Sequence, residues 1–348
     1  MLSPKDSPLG KQLDQYVCVR ITRLDNIDVG LFEHDRNNAI YFYALNADEQ
    51  IYLRYGGRDS ASAETYLQAD SLLAALKQGL DLHRRYLAGD LPKIPRPKPI
   101  MPREIPLLVK RTFDNHQCVE CHLVQDFQNM HRELDGTLDP LTDLYKSPDI
   151  KTLGIFLDVP QGLVVREAKG AAIAGGLQAG DRIAALNATN VYTFGDLQYR
   201  YDQVNRQAAQ LNLTVDRAGK PVNLTIDLPI RWWWTDLRFR QSSVDPRLYF
   251  EDKPLAAEDK KRLGLNPNGF ASEVKYVSDF AKVMQAHELK LGDVIFAVDG
   301  IDTDQLANTA ELYLKLRKPV ESAVTLDVLR AGQRIKMPLK SSRMSFRK

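Results

Sequence analysis

One phrase occurs twice in the C-terminal two-thirds of the chain, and it limits the folds open to that region. Gly176-Leu177-Gln178-Ala179-Gly180-Asp181-Arg182-Ile183-Ala184-Ala185-Leu186-Asn187 and Glu288-Leu289-Lys290-Leu291-Gly292-Asp293-Val294-Ile295-Phe296-Ala297-Val298-Asp299-Gly300 share one pattern. Each runs apolar, two residues, Gly-Asp, then an apolar strand closed by Asn or Asp. Glycine permits a tight turn, aspartate can bond nearby amides, and the strand that follows alternates into a core. Two related small units are therefore expected, in keeping with a 348-residue chain at about 150 residues per domain.

Flanking elements extend the first unit over residues 150–230. Leu153-Gly154-Ile155-Phe156-Leu157 reads as a loop and strand, and Gly162-Leu163-Val164-Val165 as the next strand. Thr193-Phe194-Gly195-Asp196-Leu197-Gln198-Tyr199-Arg200-Tyr201 reads as a helix. Leu211-Asn212-Leu213-Thr214-Val215 and Leu224-Thr225-Ile226 supply closing strands. The whole resembles a bacterial PDZ domain. That resemblance implies strand addition of a partner's C-terminal or extended peptide. Leu153, Gly154 and Ile155 would donate amides to the terminal carboxylate, and Phe156, Phe194, Leu197 and Tyr201 would line the pocket for the last side chain. Helical spacing of Phe194, Leu197 and Tyr201 equally suits a core face.

The second unit, residues 259–342, is PDZ-like with a departure. Arg262-Leu263-Gly264-Leu265 resembles the loop, but Asn266-Pro267-Asn268 would break the peptide-receiving strand, since proline supplies no ladder donor. Between the units, the connector 231–258 holds all three tryptophans in Arg231-Trp232-Trp233-Trp234-Thr235-Asp236, rings suited to an interface or a ligand.

At the other end, residues 16–22 (Tyr16-Val17-Cys18-Val19-Arg20-Ile21-Thr22) read as a buried strand, with Cys18 as an inert core thiol. Residues 39–45 and 51–55 read as a hairpin, and a helix follows with Leu73, Leu76, Leu80 and Leu87 on one face and Asp70 or Ser71 as cap. Strand, hairpin and helix in that order resemble the C-terminal part of a thioredoxin domain over roughly residues 12–88, within a partial domain of residues 1–90. The resemblance implies a reactive dithiol ahead of the first strand, and the expectation is that this segment is missing. Residues 91–106, with six prolines, read as a semi-rigid linker.

Residues 107–149 contain Cys118-Val119-Glu120-Cys121-His122, the Cys-x-x-Cys-His pattern of covalent haem c attachment, with His122 as axial iron ligand. Met130, His131 and His116 are candidate distal ligands. A redox disulfide or a metal site using Cys118, Cys121 and His122 or His131 is the alternative; so is chance spacing.

The fold class expected is multidomain α+β: a partial thioredoxin-like α/β domain followed by two PDZ-like small β-barrels and a basic tail, 343–348. In this combination the chain resembles the thioredoxin-like/PDZ (seleno)protein family of environmental bacteria, whose members carry a cysteine or selenocysteine motif upstream of the Val17–Thr22 region. Forty-seven Lys and Arg against forty-five Asp and Glu leave a net charge of +2, which argues against a nucleic-acid partner. No apolar run approaches the eighteen or so residues of a membrane span. Residues 1–6 hold no leader h-region, so the chain is either cytoplasmic as written or has lost its leader; haem attachment would require export, and a periplasmic or extracytoplasmic site is the expectation, with a cytoplasmic one as the alternative. There is no Gly-x-Ser-x-Gly elbow and no His-Glu-x-x-His, and His34, His83 and His287 are isolated, so a protease is not expected. The leading expectation is a non-enzymatic tandem PDZ protein that binds peptides; the alternative is a redox or haem protein.

Overall fold

The computed structural model describes residues 4–235, 242–286 and 288–344. Asp236, His287 and the last four residues of the basic tail lie outside them. Contacts divide the chain into two units, Met1–His131 with Tyr145–Phe239, and Arg132–Leu144 with Arg240–Lys348. Among the described residues no helix is long and apolar enough to cross a membrane.

The first unit opens with α1 (Pro8–Leu13), capped by Ser7, and the antiparallel hairpin β1 (Tyr41–Leu45) and β2 (Ile51–Gly56). Helix α2 (Ala69–Leu87) packs on the hairpin through Leu72, Ala75, Gly79 and Leu82. This face differs from the expected leucine stripe, and Leu87 is exposed. The small residues decide it: Gly79 abuts the Tyr16 hydroxyl, Ala44 and Leu53, so the helix approaches closest where its side chains are smallest. Nor do Asp70 and Ser71 cap it; Gln68 stands at the N-cap without a side-chain bond.

Residues 16–22 are not a strand. Val17 and Val19 are 94% and 79% exposed, and Cys18 is exposed as well, so the core-thiol expectation fails. A β-branched run becomes a strand only where a partner edge and a packed face receive it, and among the described residues this sheet holds β1 and β2 alone. The thioredoxin-like reading thus loses its first strand. The proline-rich stretch is docked as a strap. Asp28 accepts the Ile100 N–H at 3.0 Å and pairs with Arg96 at 3.1 Å, while Val29 N–H donates to the Ile100 carbonyl and Ile94 N–H to Gln50 Oε1. Burial works against the Asp28 carboxylate, but these donors more than offset it and hold its pKa below the usual range.

Helices α3 (Pro106–Arg111), α4 (Cys121–Leu134) and α5 (Pro140–Asp143) follow. The first barrel is then built from β3 (Ile155–Leu157), β4 (Val165–Ala168), α6 (Gly170–Ala174), β5 (Arg182–Leu186), β6 (Thr189–Asn190), α7 (Phe194–Asp202), β7 (Gln210–Arg217) and β8 (Lys220–Asp227). β3 pairs with β4, and β6-β5-β7-β8 form the larger sheet. Ile155, Leu163, Leu177, Ile183, Leu197, Leu211, Val215 and Ile226 fill its core.

The second unit repeats this plan with β9 (Phe250–Pro254), α8 (Ala257–Arg262), β10 (Ser272–Val277), β11 (Val294–Val298), α9 (Ala310–Arg317), β12 (Ala323–Arg330) and β13 (Gln333–Lys340) in one sheet, β13-β12-β11-β10-β9. The repeat extends to single hydrogen bonds. Arg217 grips Asp181 with two bonds of 2.7 and 2.8 Å and reaches the Gly176 carbonyl; Arg330 grips Asp293 at 2.7 and 2.7 Å and reaches the Glu288 carbonyl. The Arg217 guanidinium holds the Asp181 carboxyl below the usual carboxylate range. Ala218-Gly219 and Ala331-Gly332, all at positive φ, form matching two-residue turns.

This repeat also corrects the edge strand of the second barrel. Phe250 pairs with Val277 as Ile155 pairs with Ala168, and both ladders carry a bulge one step on. Tyr249 stands at φ 50 where Gly154 stands at φ 84, and each carbonyl accepts an N–H at 2.8 Å, from Ser278 and Lys169. The edge strand therefore lies within the stretch read as a connector. Arg262–Leu265 instead ends α8 in the insertion 255–271.

Candidate functional site

Helix α7 packs on β2 and β5, and the three pocket candidates it carries are placed by short-range rules. Thr193 caps the helix, its hydroxyl oxygen accepting the Asp196 N–H at 3.2 Å. Helical spacing then puts Phe194, Leu197 and Tyr201 inward, all three buried; Phe156, between the buried Ile155 and Leu157 on β3, is half-buried on the opposite face beneath the Lys169 ammonium and does not join them in a pocket. Leu153 and Ile155 are fully buried. The Gly154 N–H donates to the Lys151 carbonyl at 2.9 Å and its carbonyl accepts from Lys169, so this residue is committed to the turn and to the β4 side. Strand alternation turns the Ile155 N–H to the opposite edge, where no strand pairs with β3 among the described residues.

The groove along α7 is filled by the chain itself. Residues 54–59 run from the helix N-terminus toward the 150–153 turn. Arg54 N–H donates to Asp196 Oδ1 at 2.8 Å, and its carbonyl accepts the Thr193 hydroxyl. Gly57 lies against the Cδ1–Cε1 edge of the Phe194 ring, where a Cβ would overlap it, and Phe194 stacks on Tyr66 with centroids 3.3 Å apart. Gln198 Nε2 donates to the Arg58 carbonyl at 3.4 Å. Asp59, 3% exposed, ends the run with its carboxylate on the Lys151 ammonium, while its other oxygen accepts from Ala61 N–H, Ser62 N–H and the Thr65 hydroxyl. Burial opposes this charge, but the Lys151 and Thr65 bonds and the two amides outweigh it and lower the carboxyl pKa. Asp196 is the converse case: burial pushes its carboxyl up to about 6 despite the Arg54 and Tyr192 amides.

A second segment closes the Tyr201 end. The Trp232 ring, 2% exposed, meets Tyr201 at 4.9 Å, and the Thr152 hydroxyl donates to the Trp232 carbonyl at 2.7 Å. Trp233 packs edge-on against Tyr145, whereas Trp234 is partly exposed. Trp232 and Trp233 are therefore part of the first unit's core, and Trp234 is not. Sequence reasoning missed Arg54, Gly57, Asp59, Tyr66 and Lys151; the paired glycines 56–57 before Arg-Asp were the only local sign.

In the second barrel the corresponding helix N-terminus is taken by β9. Asp252 Oδ2 accepts the Ala310 and Glu311 N–H groups at 2.9 and 3.2 Å and the Ser272 hydroxyl at 2.5 Å. Burial raises this carboxyl. Lys315 on α9 bridges Asp245 and Glu311, each at 3.4 Å.

The Cys-x-x-Cys-His residues lie at the start of α4. Cys118 is exposed, Cys121 half-buried, both are free thiols, and His122 Nε2 bonds Glu120 Oε2 at 2.7 Å. Burial pushes the Cys121 thiol up, against the pull of Arg36. Met130 and His131 lie eight and nine residues further along the same helix, about 12 Å of axis from His122. Along one helix this spacing does not bring either side chain beside His122. Among the described residues no three His, Cys, Asp or Glu side chains converge on a cation position. His34 bonds the Phe32 carbonyl and the Tyr43 hydroxyl, and His83 the Tyr52 hydroxyl; both are satisfied structural histidines.

No family model and no curated protein matches the chain. Solved structures similar to parts of it include the HtrA-type protease AlgW with decapeptide, at 16% identity and TM-score 0.25 over 48% of this chain and 56% of that one. The PDZ domain of EpsC from Vibrio cholerae is similar at 28% identity and TM-score 0.17, over 19% of this chain and 77% of that one. The chain spans about half the length of the protease chain.

Proposed function

We propose that this chain is a non-catalytic polypeptide-binding protein whose first barrel takes an extended segment between α7 and the 150–155 turn and strand. One observation carries the reading: an extended segment of the chain, Arg54 to Asp59, already lies along α7 and ends in a carboxylate on Lys151. The free edge of β3 provides main-chain groups for strand addition, and Lys151 provides the charge that meets a terminal carboxylate. Isothermal titration of the full chain against a library of peptides with free C-termini tests it. Binding tighter than about 1 mM, lost on C-terminal amidation, is expected; a library with no such member overturns the reading.

A dithiol role for Cys118 and Cys121 is a second reading, supported by their Cys-x-x-Cys spacing and by both being free thiols. Both thiols would pass their two hydrogens to glutathione disulfide, giving an internal disulfide and two glutathione molecules. Mass spectrometry showing only mixed glutathione adducts after such treatment would refute it.

A further inference from the structure

The occupant of the α7 groove has features of a ligand and not merely of a packed neighbour. Core packing needs apolar side chains, yet the part of the segment facing α7 presents main chain and glycine. The Arg54 N–H and carbonyl, the Gly57 α-carbon and the Arg58 carbonyl meet the helix in succession. Gly56 and Gly57 both hold φ 132, a conformation that side chains rarely adopt, so the run keeps its path at the cost of conformational freedom. Its charged end is fixed from both sides: one Asp59 oxygen caps the turn at 61–65, and the other projects to Lys151, which the 150–153 turn holds just before Gly154.

On the peptide-binding reading above, we infer that Arg54–Asp59, the end of β2 and the residues that follow it, is a built-in competitor for the α7 side of the first barrel's groove, leaving the β3 edge unpaired, with the Asp59 carboxylate standing where a ligand's terminal carboxylate lies. The ligand in trans is accordingly a peptide that ends in a free carboxylate and has glycine two residues before its carboxylate-bearing residue, because a Cβ at Gly57 overlaps Phe194. A segment tethered within one chain acts at an effective concentration in the millimolar range, so a free peptide must displace it, and apparent affinity falls by the fraction of grooves left open.

The test uses the full chain and the synthetic peptide Leu-Arg-Tyr-Gly-Gly-Arg-Asp with a free C-terminus, labelled for fluorescence anisotropy. Asp59→Asn keeps the Oδ1 acceptor of the 61–65 turn but removes the charge on Lys151. It should bind the peptide at least tenfold more tightly than the unaltered chain, and the version of the peptide with alanine in place of its second glycine should bind at least tenfold more weakly to the variant. Amide hydrogen exchange on the unaltered chain gives a readout independent of any substitution: saturating peptide should raise exchange at residues 57–62. Equal, measurable affinities for variant and unaltered chain, with exchange at 57–62 unmoved, would show that the segment does not compete while leaving peptide binding intact. Absence of binding to both folded proteins would remove peptide binding and the competitor together.

Discussion

The main-chain N–H of Arg54 donates to the carboxylate of Asp196, 142 residues away, at 2.8 Å. That single bond ties the N-terminal hairpin to the helix of the first barrel, and it is made to a buried acid whose pKa lies at about 6.

The raised value fixes a sign. The folded state holds the Asp196 proton more tightly than the unfolded chain, whose carboxyl titrates near 3.8. Charge burial therefore costs stability above pH 6, and that cost is relieved as pH falls from about 6 toward 4. Between pH 7 and pH 5 the unaltered chain should gain about 1 kcal/mol relative to Asp196→Asn. Urea unfolding of both proteins at the two pH values measures it, and a difference independent of pH contradicts the assignment.

The twin Asp–Arg corners should be separable. Arg217→Ala leaves Asp181 buried without its two guanidinium bonds in the first barrel, and Arg330→Ala does the same to Asp293 in the second. Each variant should lower the melting temperature of its own barrel by at least about 4 °C. Hydrogen exchange would show the loss of protection confined to the barrel altered.

Trp232 separates shape from polarity. Its indole N–H has no partner among the described residues, so the ring contributes by filling space against Tyr201. Trp232→Ala should cost about 3–5 kcal/mol of unfolding free energy, and Trp232→Phe less than about 1.5. Chemical denaturation followed by circular dichroism distinguishes the two; equal losses would show that filling space against Tyr201 is not what the ring contributes.

The three thiols should react in a defined order. Cys18 and Cys118 are exposed, while Cys121 is half-buried with its thiol pKa raised by that burial. Timed alkylation at neutral pH with peptide mapping should therefore modify Cys121 last.

Features governed by a few neighbouring residues were legible in the sequence. The Gly-Asp corners at 180–181 and 292–293, the hairpin over 41–56 and the helix capped by Thr193 all form as their local chemistry dictates. Three things depended on distant parts of the chain and escaped. Val17 and Val19 have strand composition without a strand to join. Tyr249 occupies a left-handed position that glycine fills in the first barrel, which disguised the edge strand that follows it. The contents of the α7 groove come from residues 54–66, and no spacing rule connects those to a helix at 194–202. For the candidate site, the inward face of α7 was readable from helical spacing, and the segment packed along it was not.

The insertion 255–271 has a kinetic consequence. In the first barrel β3 and β4 are joined by residues 158–164, so their pairing closes a short loop; in the second, β9 must find β10 across 255–271. Loop-closure entropy makes the longer search costlier by only about 0.8 kcal/mol, but that cost falls on a single edge strand. The tight Ala331-Gly332 turn lets β12 and β13 zip together first, and β9 arrives last. Until it does, the second barrel's β10 edge is an open template for any passing strand, including another copy of the same chain.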